Sequence, residues 1–167
     1  MAAAPSLDKA PLPPRPRGVM RLVVRLPILL YRLHLGWLLG SRFLLLTHRG
    51  RVSGRLHQTV LEVVRHDRAR GEYIVVAGFG PRTDWYLNLQ AHPALQVQSG
   101  LRRFQPAQRF LTPEEGGDIL AWYARHHPLA MRALFKLLRY PYDGTEASAR
   151  ALAHLLPMVA FRPQDAA

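Results

Sequence analysis

Residues 42–65 read RFLLLTHRGRVSGRLHQTVLEVVR, two apolar runs on either side of a segment rich in Gly and Arg. Apolar runs joined by a short glycine-containing segment are typical of a β-hairpin. We therefore predict strands at residues 42–47 and 58–65, joined by a basic turn. This hairpin decides the fold class, because strands that follow along the chain can add to its edges.

The rest of the chain alternates further strands with helices. Thr83 and Asp84 begin a short helix that ends near Ala91, and Thr112 with Glu115 has the spacing of a capping box. The remaining predicted strands cover residues 72–77, 95–98, 104–111 and 158–162, and the remaining helices cover 112–125, a segment after 128, and 145–155. Five to six strands with inserted helices indicate an α+β domain built on a small β-barrel or half-barrel.

Two segments precede this domain, which we place at residues 41–163. Residues 1–18 contain five prolines and predict a disordered tail. Residues 19–40 predict an amphipathic helix with arginines on one face, which could lie at a membrane surface or pack on the barrel. We expect a cytoplasmic location, with this helix able to contact the inner face of the membrane.

Composition and charge limit the function classes. The 167-residue chain is 49% hydrophobic, has a net charge of +12 and contains no Cys, which excludes disulfides and Cys-based metal sites. Residues 1–70 carry a net charge of +10, from 13 Lys or Arg against three Asp or Glu. Nucleic acid, an anionic membrane and a small anionic ligand are all possible partners for this charge. We expect no nucleic acid, because the basic residues lack interleaved aromatic side chains, and no metal site.

The basic turn is the first candidate site. Its glycines can turn backbone N–H groups toward an anion, and its polar side chains would share one face of an extended segment. The candidate residues are Gly50, Arg51, Val52, Ser53, Gly54, Arg55, His57 and Thr59. A second loop, Gly78-Phe79-Gly80, could approach a flat ring closely. Taken alone, each could also be an ordinary solvent-exposed turn.

The motifs are more specific in combination than each is alone. GRVSG at 50–54, WYLN at 85–88 and AHP at 91–93 follow one another at a characteristic spacing, after the strand that contains LLLT. Over residues 42–111 the chain resembles the deazaflavin-dependent nitroreductase family, which consists of small split β-barrel oxidoreductases related in fold to FMN-binding flavin reductases. Members of that family often carry Lys where this chain has Val52 and Arg where it has His57.

The resemblance implies a reductase that passes hydride from coenzyme F-420, a deazaflavin, to a quinone or nitroaromatic acceptor, with FMN as the alternative cofactor. It places the anionic tail of the cofactor at the basic turn and its ring near Gly78 to Gly80. Trp85 and Asn88 are further candidates for cofactor binding. Trp85 is expected to pack, and Asn88 to bond either the loop or the cofactor. Tyr123, Tyr140 and Tyr142 are candidates for a ring-side tyrosine, and no catalytic residue is assigned. The family also implies a homodimer. The alternative is a cofactor-free binding or membrane-surface module.

Overall fold

A computed structural model describes residues 41–164 of the chain. The predicted tail (1–18) and amphipathic helix (19–40) lie outside the described residues and stay predictions, as does the membrane contact. The strands are β1 Phe43–Arg49, β2 Leu56–Asp67, β3 Glu72–Val76, β4 Gln96–Ser99, β5 Arg102–Phe104, β6 Pro106–Phe110 and β7 Met158–Pro163. The helices are α1 Asp84–Ala91, α2 Pro113–His126, α3 Pro128–Leu138 and α4 Glu146–Leu152. None of these helices has the length and apolar character needed to cross a bilayer.

The seven strands form one antiparallel sheet in the order β5-β4-β1-β2-β3-β7-β6. Its two edge strands are neighbours in sequence, since only Gln105 separates the end of β5 from the start of β6. The sheet must therefore curl until its edges meet. The result is a nearly closed barrel with helices outside it, which confirms the predicted α+β split β-barrel.

The single strand predicted at residues 104–111 is wrong, and so is the count of five to six strands. The chain divides at Gln105: β5 pairs with β4, whereas β6 pairs with β7 on the opposite edge. Pro106 has no N–H and cannot continue a ladder as a donor. The apolar pattern of residues 104–111 does not indicate that the chain changes its pairing partner there.

Two apolar cores lie on the two faces of the sheet. The barrel interior is filled by alternate strand residues, among them Leu44, Leu46 and Phe161, together with Trp85 and Leu89 from α1. The outer core joins α2, α3 and α4 to the other face of the sheet; its large members include Leu120, Phe135, Leu152 and Met158. Trp85 and Leu89 hold α1 against the barrel, beside the candidate site.

Local signals place the helices as expected. The capping box of α2 is confirmed: the Thr112 hydroxyl accepts from the Glu115 amide at 3.3 Å, and the Glu115 carboxylate accepts from the Thr112 amide at 2.9 Å. Thr83 stands at the N-cap of α1, but its hydroxyl donates to the Gly80 carbonyl at 2.7 Å instead of capping the helix. Thr83 therefore holds the glycine loop that precedes α1.

Candidate active site

The residues between β1 and β2 form a closed turn, called here the 50–55 loop. The Gly50 amide donates to the Arg55 carbonyl at 2.8 Å, and the Gly54 amide donates to the Gly50 carbonyl at 2.9 Å. Gly54 has a φ of 66°, in the left-handed region that glycine adopts without strain. The predicted extended segment with alternate residues on one face is therefore wrong for 51–55, because the chain turns there.

Arg51 contacts α1, although about a third of its side chain (34%) stays exposed. Its backbone amide and its Nη1 both donate to Oδ1 of Asn88 at 3.0 Å, and its guanidinium lies 3.3 Å from the Asp84 carboxylate. Arg51 therefore fastens the loop to α1. Of the two roles expected for Asn88, the structure has it bonding the loop backbone.

His48, on β1, completes this network and was missed by sequence reasoning. Its Nδ1 lies 3.2 Å from Nδ2 of Asn88, and its ring stacks on that of His57 with centroids 5.8 Å apart. Burial, and then the charge of His57, lower the pKa of His48 to about 4. The available signal was its spacing: His48 continues the inward-facing series of Leu44 and Leu46, where an imidazole needs a partner.

The loop keeps hydrogen-bond donors that are not used within residues 41–164. The amides of Val52 and Ser53 make no hydrogen bond there, and the Arg55 guanidinium makes no ion pair. Two successive amides and a guanidinium that are unused within residues 41–164 are donors suited to an anion. The Val52 side chain is 91% exposed, so nothing in the described part of the chain covers these amides.

Gly50 packs closely against two side chains of the site. A Cβ at this position would lie 2.8 Å from Oγ of Ser53 and 2.9 Å from Nε2 of His57. The bare glycine therefore lets a hydroxyl and an imidazole converge beside the free amides. Thr59 lies two residues further along β2 on the same face, opposite Leu46.

The barrel is split beside this loop. Residues 56–62 of β2 pair with β1, but β3 pairs with β2 only from Val63 onward. Residues 56–62 of β2 therefore pair on one side only, because within residues 41–164 no other strand bonds to their second side. Beyond Val76 the chain turns away, and the Ala77 amide donates to the carbonyl of Pro157 at 2.9 Å. A gap with unpaired backbone groups is thus left between β2 and the segment after β3.

The segment after β3 is the second glycine loop, residues 78–80. The Gly80 amide donates to the Ala77 carbonyl at 2.8 Å, and Gly80 has a φ of 78°. A Cβ at Gly78 would lie 3.3 Å from the Leu138 side chain, while Phe79 packs on the outer core. The amides of Gly78 and Phe79 make no hydrogen bond within residues 41–164.

Tyrosines from the helical layer differ in their partners. The Tyr123 hydroxyl donates to Glu62 at 3.1 Å, and burial, then Glu62, raise its pKa to about 12. Tyr142 packs on Phe135. The hydroxyl of Tyr140 is buried without a hydrogen-bond partner in the described part of the chain, and burial raises its pKa to about 12. A buried hydroxyl without a partner is uncommon in native proteins.

Trp85 lies in the barrel interior and packs α1 against the strands, as expected. The structure therefore brings Gly50, Ser53 and His57 together, and the Arg55 amide donates to Oγ of Ser53 at 3.3 Å. Arg51, Asn88 and Trp85 make contacts within the protein. No group of three or more metal-ligating side chains occurs within residues 41–164.

A family model described as F420H(2)-dependent quinone reductase matches residues 33–128, which include the 50–55 loop, the 78–80 loop and α1. The chain belongs to this family. It is a deazaflavin-dependent oxidoreductase, and the family indicates coenzyme F-420 as its cofactor, with FMN as only a weak alternative. The nitroreductase-like resemblance noted in the sequence is thereby confirmed.

Solved structures are similar to the chain at low identity. One described as an F420-H2 dependent reductase has a TM-score of 0.50 at 21% identity, over 74% of this chain and 96% of that chain. One described as a domain-swapped dimer has a TM-score of 0.43 at 24% identity, over 74% and 81%. A pyridoxamine 5'-phosphate oxidase-related, FMN binding protein from Nostoc punctiforme has a TM-score of 0.47 at 14% identity, over 83% and 80%. The first of these supports the fold. No protein with curated annotation gives a significant match.

Proposed function

We propose that this quinone reductase family member holds coenzyme F-420 along the split of the barrel and reduces a quinone with it. The observation that carries the proposal is the match to the family model over the segment that contains both glycine loops. The free donors of the 50–55 loop support the same position for the cofactor.

The residues present fit an anionic cofactor tail. The amides of Val52 and Ser53, the Arg55 guanidinium and the His57 imidazole would hold its phosphate and carboxylates. Backbone amides donate to an anion without carrying charge, and they would do so whichever side chain stands at position 52. Arg51 would act indirectly, by fastening the loop to α1.

The 78–80 loop would face the reacting end of the site, and Tyr140 lies in the outer core two residues beyond Leu138, whose side chain lies 3.3 Å from a Cβ at Gly78. The amides of Gly78 and Phe79 can donate to carbonyl oxygens at the edge of a planar ring. When bound, reduced coenzyme F-420 supplies a hydride, and the second quinone oxygen then needs a proton. Tyr140 keeps its proton at neutral pH because burial raises its pKa to about 12, so its hydroxyl can donate a hydrogen bond to an oxygen on which negative charge develops.

Fluorescence titration with coenzyme F-420 and with FMN, followed by turnover with a quinone and with a nitroaromatic, tests the proposal on the full chain. We expect micromolar binding of coenzyme F-420 and faster reduction of the quinone. Gly50→Ala should weaken coenzyme binding, because its Cβ displaces Ser53 and His57. The matched control is Gly71→Ala, at a turn whose φ of 64° strains alanine but not glycine and where a Cβ meets open space; it should lower stability but preserve affinity.

Failure of coenzyme F-420 to bind in the micromolar range would refute the proposed site. Faster reduction of the nitroaromatic than of the quinone would refute the proposed acceptor and leave the cofactor site standing.

A further inference from the structure

Helix α3 exposes an apolar stripe on the side that faces away from the outer core. Its buried side is fixed by Met131, Phe135 and Leu138. On the opposite side Leu129 is 80% exposed and Leu137 is 63% exposed, and the exposed Ala133 lies between them. Because residues four apart share one face of a helix, these three side chains form a continuous stripe along α3.

Basic side chains run beside this stripe. Arg132 and Lys136, also four residues apart, are exposed on α3, and Arg139 follows as the C-cap. None of the three makes an ion pair within residues 41–164. Residues 125–139 contain no Asp or Glu. We call the stripe and these three cations the α3 face.

The acids that follow α3 in the chain are held by other groups. The Arg132 guanidinium packs over Gly144, where a Cβ would lie 3.0 Å from Nη2. The neighbouring Asp143 accepts from the amide and the hydroxyl of Thr145 at 2.8 and 2.7 Å, and Glu146 pairs with two other arginines. With Asp143 counted against the three cations, the α3 face keeps a net charge of +2.

This combination restricts what can cover the α3 face. A single exposed leucine is ordinary on a protein surface, but here two lie two turns apart beside cations. In a two-fold contact between copies the face would meet itself and bring like charges together. Nucleic acid would match the cations and leave the leucines in water. An occupant with anionic groups above an apolar layer matches both.

We propose that the α3 face docks on an anionic lipid bilayer. Leu129 and Leu137 would enter the boundary between headgroups and acyl chains, as the apolar side of an interfacial helix does. Arg132, Lys136 and Arg139 would contact the phosphate groups, because cations near an anionic surface are attracted to it. The helix would stay packed on the outer core and lie along the bilayer.

The α3 face lies one helix away from the 78–80 loop. On the buried side of α3, the Leu138 side chain would lie 3.3 Å from a Cβ at Gly78, and Phe79 packs on the same core. Docking would therefore bring the proposed reacting end of the site close to the bilayer, in which an apolar quinone dissolves. This consequence for the substrate rests on the proposed function, whereas docking itself does not.

Cosedimentation of the full chain with phosphatidylglycerol and with phosphatidylcholine vesicles, without coenzyme, tests the docking. We expect tighter binding to phosphatidylglycerol, weakened by salt. Leu129→Gln and Leu137→Gln should each weaken it by about tenfold, since each removes a leucine that would leave water. Arg132→Gln and Lys136→Gln should each weaken it by about fivefold. Failure of coenzyme F-420 to bind would not affect this result.

Matched controls lie elsewhere on the surface. Leu101→Gln replaces a leucine that is 83% exposed in the turn between β4 and β5, and Arg68→Gln replaces an exposed cation in the turn between β2 and β3; both should leave vesicle binding unchanged. Losses in these controls equal to those in α3, or unchanged binding in the α3 variants, would overturn the proposal. Absence of binding to phosphatidylglycerol would overturn it too, and would favour an acidic protein as the occupant.

Discussion

The side-chain amide of Asn88 lies 3.2 Å from Nδ1 of His48, and the orientation of that amide is fixed by its other end. Because Oδ1 of Asn88 accepts twice from Arg51, Nδ2 is the group that faces the imidazole. His48 must therefore accept at Nδ1 and carry its proton on Nε2. A neutral histidine of defined tautomer thus supports the 50–55 loop through one amide.

Asn88→Asp replaces the hydrogen-bond donor that faces Nδ1 of His48 with an acceptor. A carboxylate still accepts from Arg51 but cannot donate to Nδ1, so we expect the pKa of His48 to rise well above its present value of about 4. NMR titration of the imidazole measures this directly. The control is Gln96→Glu, at an exposed position on β4; an equal rise there would mean that general charge and not the hydrogen bond is responsible.

The low pKa of His48 also predicts how stability depends on pH. The unfolded chain takes up this proton near pH 6.5, whereas the folded chain takes it up only near pH 4. The unfolded state therefore binds more protons between these values, and the contribution of His48 to stability falls as the pH is lowered through this window. Below about pH 4 it should level off.

Urea unfolding of the wild type and His48→Gln across this window isolates the effect. We expect the stability difference between the two proteins to shrink as the pH falls. His154→Gln, at an exposed histidine, is the control, and a parallel trend in that variant would contradict the assignment to His48.

Two arginines of the same loop should respond differently to substitution. Arg55→Gln removes an unpaired cation and should weaken coenzyme F-420 binding by about tenfold without lowering the melting temperature. Arg51→Gln removes contacts to Asp84 and Asn88 and should lower both the melting temperature and the affinity. Thermal melts and fluorescence titrations of both variants make the comparison; unchanged affinity in Arg55→Gln would remove it from the site.

Removing the hydroxyl of Tyr140 and that of Tyr123 should have different effects on activity and stability. Tyr140→Phe removes a hydroxyl without a partner in the described residues, so stability should hold while kcat for the quinone falls. Tyr123→Phe removes a hydrogen bond to Glu62 and should cost about 1 kcal/mol of stability with little change in kcat. Equal kcat in Tyr140→Phe and wild type would show that this hydroxyl does not act on the reaction.

The parts of the fold that sequence predicts are those encoded locally. The first hairpin and the capping box of α2 each depend on residues a few positions apart, and both are present. The amides of Val52 and Ser53 belong to the proposed anion site. They lie within a turn that Gly50 and Gly54 predicted. Trp85 was likewise placed in the packing by its position in the short helix.

What sequence could not give depends on distant partners. Arg51 looked like a ligand-binding cation, but its partners Asp84 and Asn88 lie 33 and 37 residues further along the chain. His48 stands in an apolar strand, and its partner Asn88 lies 40 residues further along the chain. The division of residues 104–111 into two strands follows from closure of the barrel and from no local pattern.

That closure has a consequence for chain topology. Gln105 is the only covalent link between the two margins of the sheet, and its carbonyl accepts from the Gln164 amide at 2.9 Å. A proteolytic nick or an inserted tag at this residue would release β5 and β6 from each other. Both strands already have an outer edge that pairs with no other strand within residues 41–164, and once separated these edges could pair more readily with another molecule. Circular permutants of this reductase should therefore be opened elsewhere.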